Sequence, residues 1–171
     1  MANLKGFFLL IVLASCGMTT EGLKLPTVNH QEISIDKIQG TILSTEDEKE
    51  DLAASPDKIH VLMFISETCG VCQIETKNLI QDRITRGIPT NALFYSVLVG
   101  SDPPDAKDWE SSMKVDWKVG TDKSDELFRK YCPRLQTPCT LLTNPTTGLL
   151  FTLIGEHPLS ELEKVTGEWR F

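Results

Sequence analysis

Ile59-His60-Val61-Leu62-Met63-Phe64-Ile65 runs directly into Ser66-Glu67-Thr68-Cys69-Gly70-Val71-Cys72-Gln73-Ile74-Glu75. The first seven residues are almost continuously apolar, the pattern of a strand buried on both faces. The polar and apolar mix from Gln73 to about Arg83 predicts a helix. Two cysteines therefore sit where a strand turns into a helix. The first N–H groups of a helix lack internal partners, and the dipole is positive there. A thiol at that end has its thiolate favoured and its pKa lowered. The spacing puts Cys72 about one turn beyond Cys69 on the same side, so the pair can close a disulfide.

An inert structural disulfide and half a zinc site are the alternatives to a redox pair. Zinc would usually need a second ligand pair at short spacing. Cys132 and Cys139 are seven apart, and neither has a histidine nearby in sequence. A reversible dithiol–disulfide switch is the preferred reading, with no metal and no cofactor expected.

Upstream, Met1–Ala14 carries one lysine, Lys5, and then an apolar block from Phe7 to Ala14. The block is too short to span a bilayer comfortably and has the form of a secretory signal peptide, residues 1–15. Leu13-Ala14-Ser15-Cys16 is similar to the bacterial lipoprotein signal, in which the cysteine is lipidated and becomes the new N-terminus. The alternative is an ordinary cleaved signal with an incidental cysteine. An acylated Cys16 would anchor the chain without a spanning helix. Residues 16–31 then read as a tether, and residues 32–171 as one domain outside the cytoplasm. The chain of 171 residues carries a formal charge of −7, and the loss of Lys5 leaves the mature chain slightly more acidic still. That balance argues against nucleic acid and against a polybasic grip on anionic lipid. An exported compartment permits disulfides.

Downstream, the pattern alternates. Glu32–Lys37 and Thr41–Leu43 can form a hairpin across Gln39-Gly40. Thr45-Glu46-Asp47-Glu48 has capping-box form and predicts a short acidic helix to about Ala54. Ala92–Val99 is a second buried strand, and a polar helix runs from Ser101-Asp102-Pro103-Pro104 to about Met113. Asp116–Val119 is a short strand, and Ser124 can cap a helix from Asp125 to Tyr131. Cys139–Thr143 and Leu149–Ile154 read as strands joined by a hairpin. Pro158 suits the first position of a last helix, Leu159–Thr166. This order gives an α/β fold, a layered sandwich with a mixed sheet. The loop between Cys132 and Cys139 is short and holds two prolines, so the pair could bridge structurally. Two buried free thiols, a thiol relaying electrons from Cys72, and a bridge formed only on oxidation remain open.

With these features the chain resembles the thioredoxin superfamily: Cys69-Gly70-Val71-Cys72 after a buried strand, Thr137-Pro138 before a strand, and a closing hairpin and helix. More narrowly it is similar to the TlpA/ResA-like group of exported, membrane-tethered thioredoxins. Glu75 stands where that group often carries a glutamate. Trp117-Lys118-Val119 with Asp122 resembles its short strand and aspartate, and the Ile33–Leu43 hairpin its N-terminal extension. The resemblance implies a thioredoxin-like three-layer sandwich, a mixed central sheet flanked by helices, with an N-terminal β-hairpin extension. It implies a cis peptide at Thr137-Pro138 facing the disulfide and touching substrate backbone. It departs at Thr68, where many members have tryptophan, at Met63, where many thioredoxins bury an acid, and at Lys77, near a usual proline.

The function expected is a membrane-anchored thiol–disulfide oxidoreductase of the bacterial cell envelope. It would face the periplasm and exchange disulfides with envelope proteins through Cys69 and Cys72. The resemblance favours a monomeric reductase recharged by a membrane electron donor. Glu75 is the candidate proton acceptor for Cys72, with a plain surface glutamate as the alternative. Two rival functions use the same fold. One is a copper-handling carrier on Cys69 and Cys72, for which His157 is the third-ligand candidate. The other is a redox-inert envelope binding protein.

Overall fold

The computed structural model describes residues 42–44, 49–50, 55, 57–146, 150–167 and 169–171. The signal peptide, Cys16, the tether and the Glu32–Lys37 strand expected from sequence lie outside these residues. Seven strands and four helices are described: β1 (Ile42–Ser44), β2 (Lys49–Glu50), β3 (Ile59–Ile65), α1 (Gly70–Arg86), β4 (Ala92–Val99), α2 (Pro103–Met113), β5 (Lys118–Asp122), α3 (Glu126–Tyr131), β6 (Cys139–Thr143), β7 (Leu150–Ile154) and α4 (Leu159–Thr166). The strands form one sheet in the order β2-β1-β5-β4-β3-β6-β7. β3 pairs in parallel with β4, and β4 with β5, while β6, β7 and β1 join antiparallel. The sheet is mixed, as the alternating sequence implied.

β3 is central because all seven of its residues are buried. Successive side chains point to opposite faces, so its residues divide between two apolar clusters. Ile59, Val61, Met63 and Ile65 join Leu79 of α1, Trp109 of α2 and Leu159 and Leu162 of α4. Leu62 and Phe64 join Tyr95, Val97, Phe128, Tyr131, Cys132 and Cys139. Three helices thus cover one face and α3 the other, which makes three layers. At the far end of α1, Arg83 is buried against the rings of Phe94 and Trp117 and ion-paired to Asp116 at 3.0 Å.

Several elements differ from the sequence reading. α1 begins one turn earlier than Gln73 and runs to Arg86, where Gly87 (φ 94°) stops it. Lys49–Glu50, read as part of an acidic helix, instead pairs with Ile42–Leu43 as an edge strand. The ladder offered by β1, itself paired to β5, overrides the helical capping pattern. The N-terminal hairpin among the described residues is therefore β1–β2. The Asp116–Val119 strand is displaced to Lys118–Asp122, because Trp117 turns inward and donates its indole N–H to the Ser96 hydroxyl at 2.9 Å. Asp125, not Ser124, stands immediately before α3, with its carboxylate bonded to Arg129 and making no capping bond, and Pro158 stands just before α4.

Candidate active site

Cys69 stands at the cap of α1, at the carboxyl end of β3. A tight turn delivers it there: Cys69 N–H donates to the Ser66 carbonyl at 3.0 Å, and the Cys69 carbonyl accepts from Gln73 N–H at 3.2 Å. Cys69 Sγ in turn accepts from Cys72 N–H at 3.1 Å, in the position that a serine or aspartate side chain usually fills. The sulfur therefore already sits on a free helical N–H, where negative charge is favoured. Cys69 and Cys72 are joined in a disulfide with their α-carbons 5.2 Å apart. The two are not equivalent. Cys69 is half-buried, whereas Cys72 is 0% exposed within the cluster formed by α1 and β3.

Two loops close on this pair. The Thr137–Pro138 peptide is cis, and the Thr137 carbonyl oxygen lies 3.7 Å from Cys69 Sγ. The Pro138 carbonyl accepts from Gly155 N–H at 2.9 Å, which ties this loop to the one after β7. That second loop reaches α1 through Glu75. Glu75 is 1% exposed, so it is not the surface glutamate of the alternative reading. Its Oε1 accepts from His157 N–H at 3.2 Å, and its Oε2 has no partner among the described residues. Burial pushes the Glu75 carboxyl up from its ordinary 4.5 to about 8. The His157 N–H opposes the rise and the Glu156 carboxylate adds to it.

His157 does not turn its ring to the thiols as a donor. Its Nδ1 is 3.0 Å from a Glu161 oxygen and its Nε2 is 3.3 Å from the Ile154 carbonyl. Asp122 is buried and accepts from Phe128 N–H at 2.9 Å, so its carboxylate satisfies a donor in the first turn of α3. Met63 faces the α1 cluster, while Thr68 and Lys77 are exposed. Sequence reasoning passed over Val71 and Ile74, which are 47% and 51% exposed beside the disulfide. Their signal was available: apolar residues interleaved with a cysteine pair at the outward positions of a helix. Leu135, in the loop before Pro138, is likewise an exposed apolar residue, with φ 49°.

Cys132, at the end of α3, is bonded to Cys139, the first residue of β6. Both are 0% exposed, and the bridge closes the loop that carries Thr137–Pro138. Mild reductant should therefore open Cys69–Cys72 first and leave Cys132–Cys139 intact, as read by peptide mapping after thiol labelling. Replacing both outer cysteines by alanine should cost about 2–3 kcal/mol. Labelling of all four thiols at one rate would contradict this order.

No protein-family model matches the sequence, and no curated protein matches it. Solved structures do. A secreted Mycobacterium tuberculosis disulfide oxidoreductase homologous to Escherichia coli DsbE is 16% identical with a TM-score of 0.58, covering 75% of this chain and 92% of that one. A thiol:disulfide interchange protein of the thioredoxin family from Chlorobium tepidum is 14% identical with a TM-score of 0.60, over 75% and 90%. StoA from Bacillus subtilis is 17% identical with a TM-score of 0.59, over 74% and 95%. The parallel β3–β4–β5 unit, the β6–β7 hairpin and the flanking helices of this chain make up the thioredoxin fold.

Proposed function

We propose that this chain is a thiol–disulfide oxidoreductase of the bacterial cell envelope that works through Cys69 and Cys72. The observation that carries the reading is their asymmetry, a half-exposed sulfur on the cap of α1 joined to a fully buried one. The solved structures it resembles include proteins described as disulfide oxidoreductases and interchange proteins. In the reducing direction, the Cys69 thiolate attacks one sulfur of a substrate disulfide. A mixed disulfide forms and one substrate thiol leaves. Cys72 then loses its proton and attacks Cys69 Sγ, releasing the second substrate thiol and closing Cys69–Cys72. Two electrons pass to the substrate.

Glu75, three residues beyond Cys72, accepts the Cys72 proton. Its carboxyl is favoured in the neutral form while the disulfide is closed, which is the state left by that transfer. In the opposite direction the same acid returns the proton. The Thr137 carbonyl and Pro138 line the approach to Cys69 and hold substrate backbone there. A reductase recharged by a membrane electron donor is the direction we favour. The copper reading has less support, since both His157 ring nitrogens are engaged elsewhere.

Turnover of insulin disulfides, coupled to a thioredoxin-like reductant, tests the activity. Wild type should accelerate it, and no rate above background would remove the enzyme reading in favour of a binding protein. Anchoring is tested separately. Cys16→Ser should move the protein from the membrane to the soluble fraction, or stall export. A mature N-terminus beginning at Gly17 or Met18 would refute lipidation.

A further inference from the structure

Three side chains of α1 meet the segment between β7 and α4. Glu75, Asn78 and Asp82 fall at i, i+3 and i+7, on one stripe of the helix. Each has its own partner across the gap. Glu75 Oε1 accepts from His157 N–H at 3.2 Å, Asn78 Nδ2 donates to Glu156 Oε1 at 2.6 Å, and Asp82 Oδ2 accepts from Leu159 N–H at 3.2 Å. The two α1 carboxylates thus hold backbone donors only two residues apart in sequence.

The Asp82 bond meets a need of α4. The first N–H groups of a helix have no partner inside it, and the cap side chain usually supplies one. Here the cap is Pro158, which makes no side-chain bond. Leu159, the first residue of α4, finds its acceptor on α1 instead. Leu159 is 0% exposed, so without Asp82 its N–H would be buried and unpaired, which is costly. Burial of Leu159 and Leu162 in the α1 cluster sets how deep α4 sits, but that attraction is non-directional. The Asp82 bond is directional and fixes where along α1 the segment rests.

We propose that Asp82 is a positioning residue for the proton acceptor: it anchors the start of α4 and thereby holds the His157 N–H on the Glu75 carboxylate. The inference rests on the reading of Glu75 given above. Glu75 must be ionised to take the Cys72 proton. The His157 N–H favours that form, while burial and the Glu156 carboxylate oppose it. The other titratable groups on the elements packed about Glu75 are Cys72 on α1 and Glu161 on α4, whose carboxylate is 3.0 Å from His157 Nδ1. β3 turns Val61, Met63 and Ile65 to this side. Loosening the His157 N–H should therefore leave less ionised Glu75 at neutral pH.

The test follows the two chemical steps separately. Reduced full-length protein is mixed with dithiobis(nitrobenzoate), and release of the two coloured thiols is followed by stopped flow across neutral and alkaline pH. The first release reports attack by Cys69, and the second reports resolution by Cys72. Asp82→Ala should leave the first unchanged and slow the second about fivefold at pH 7, with recovery at alkaline pH. Alanine is the best helix former and Asp82 is only half-buried, so this variant should fold. Asp82→Asn keeps a side-chain oxygen and should restore the wild-type profile. Amide exchange read by NMR needs no chemistry: His157 N–H should exchange about tenfold faster in Asp82→Ala than in wild type or Asp82→Asn. Unchanged His157 exchange, or slowing of resolution by the same factor at every pH, would overturn the positioning role. Glu75→Gln is the control. If it resolves with the wild-type pH profile, the proton-acceptor reading fails, while amide exchange still decides whether Asp82 holds the His157 N–H.

Discussion

Glu75→Gln should remove a loss of stability that the wild-type oxidised protein shows as pH rises. In the unfolded chain this carboxyl titrates near its ordinary 4.5, and in the folded protein near 8. Below 4.5 both states hold the proton and pH has no leverage. Between 4.5 and 8 the folded state binds more protons than the unfolded one, so stability falls with rising pH. Above 8 both are ionised and the loss is complete. The shift corresponds to something on the order of 5 kcal/mol across that window. Glutamine keeps an acceptor for His157 N–H and cannot ionise. Denaturant unfolding with disulfides intact should give similar stabilities for variant and wild type at pH 4.5. At pH 8.5 the variant should be the more stable. Parallel pH profiles would show that Glu75 is not the buried neutral acid described. The same substitution should slow resolution of a mixed disulfide more than its formation, since only resolution needs the Cys72 proton moved.

The second large effect concerns the cysteines themselves. Cys69→Ala should reduce exchange to background, because the remaining Cys72 is 0% exposed and cannot meet a protein disulfide. Cys72→Ala should still react once, then accumulate a mixed disulfide between Cys69 and substrate, since the resolving thiol is gone. Mass spectrometry of the trapped species reads the attachment site directly and identifies the partner. Trapping on Cys72 in Cys69→Ala, with none in Cys72→Ala, would reverse the roles.

Much of this fold was legible in the chain, for identifiable reasons. β3, β4 and β6 fall where the apolar runs placed them, because strands buried on both faces need little beyond continuous apolar character. The start of α1 was less legible. Its cap is a cysteine sulfur, which is not among the side chains that usually mark a helix start, and Gly70-Val71 reads as loop. The fate of Lys49–Glu50 depended on a neighbouring strand edge, which no local pattern reveals. Glu75 shows the sharper limit. Its spacing from Cys72 made it a candidate, but its burial comes from the loop holding His157, 82 residues away in sequence. His157 was legible only as a ring able to bind metal. Its contribution is a backbone N–H, which residue identity does not encode.

The proposed chemistry turns on the difference between two sulfurs three residues apart in sequence. The most direct measurement is alkylation of the reduced protein by iodoacetamide at neutral pH, followed by peptide mapping over time. Cys69, on the cap of α1 and half-exposed, should be modified at least about tenfold faster than Cys72, with a pH–rate midpoint below that of a free thiol. Equal rates at the two cysteines, or faster modification of Cys72, would contradict it.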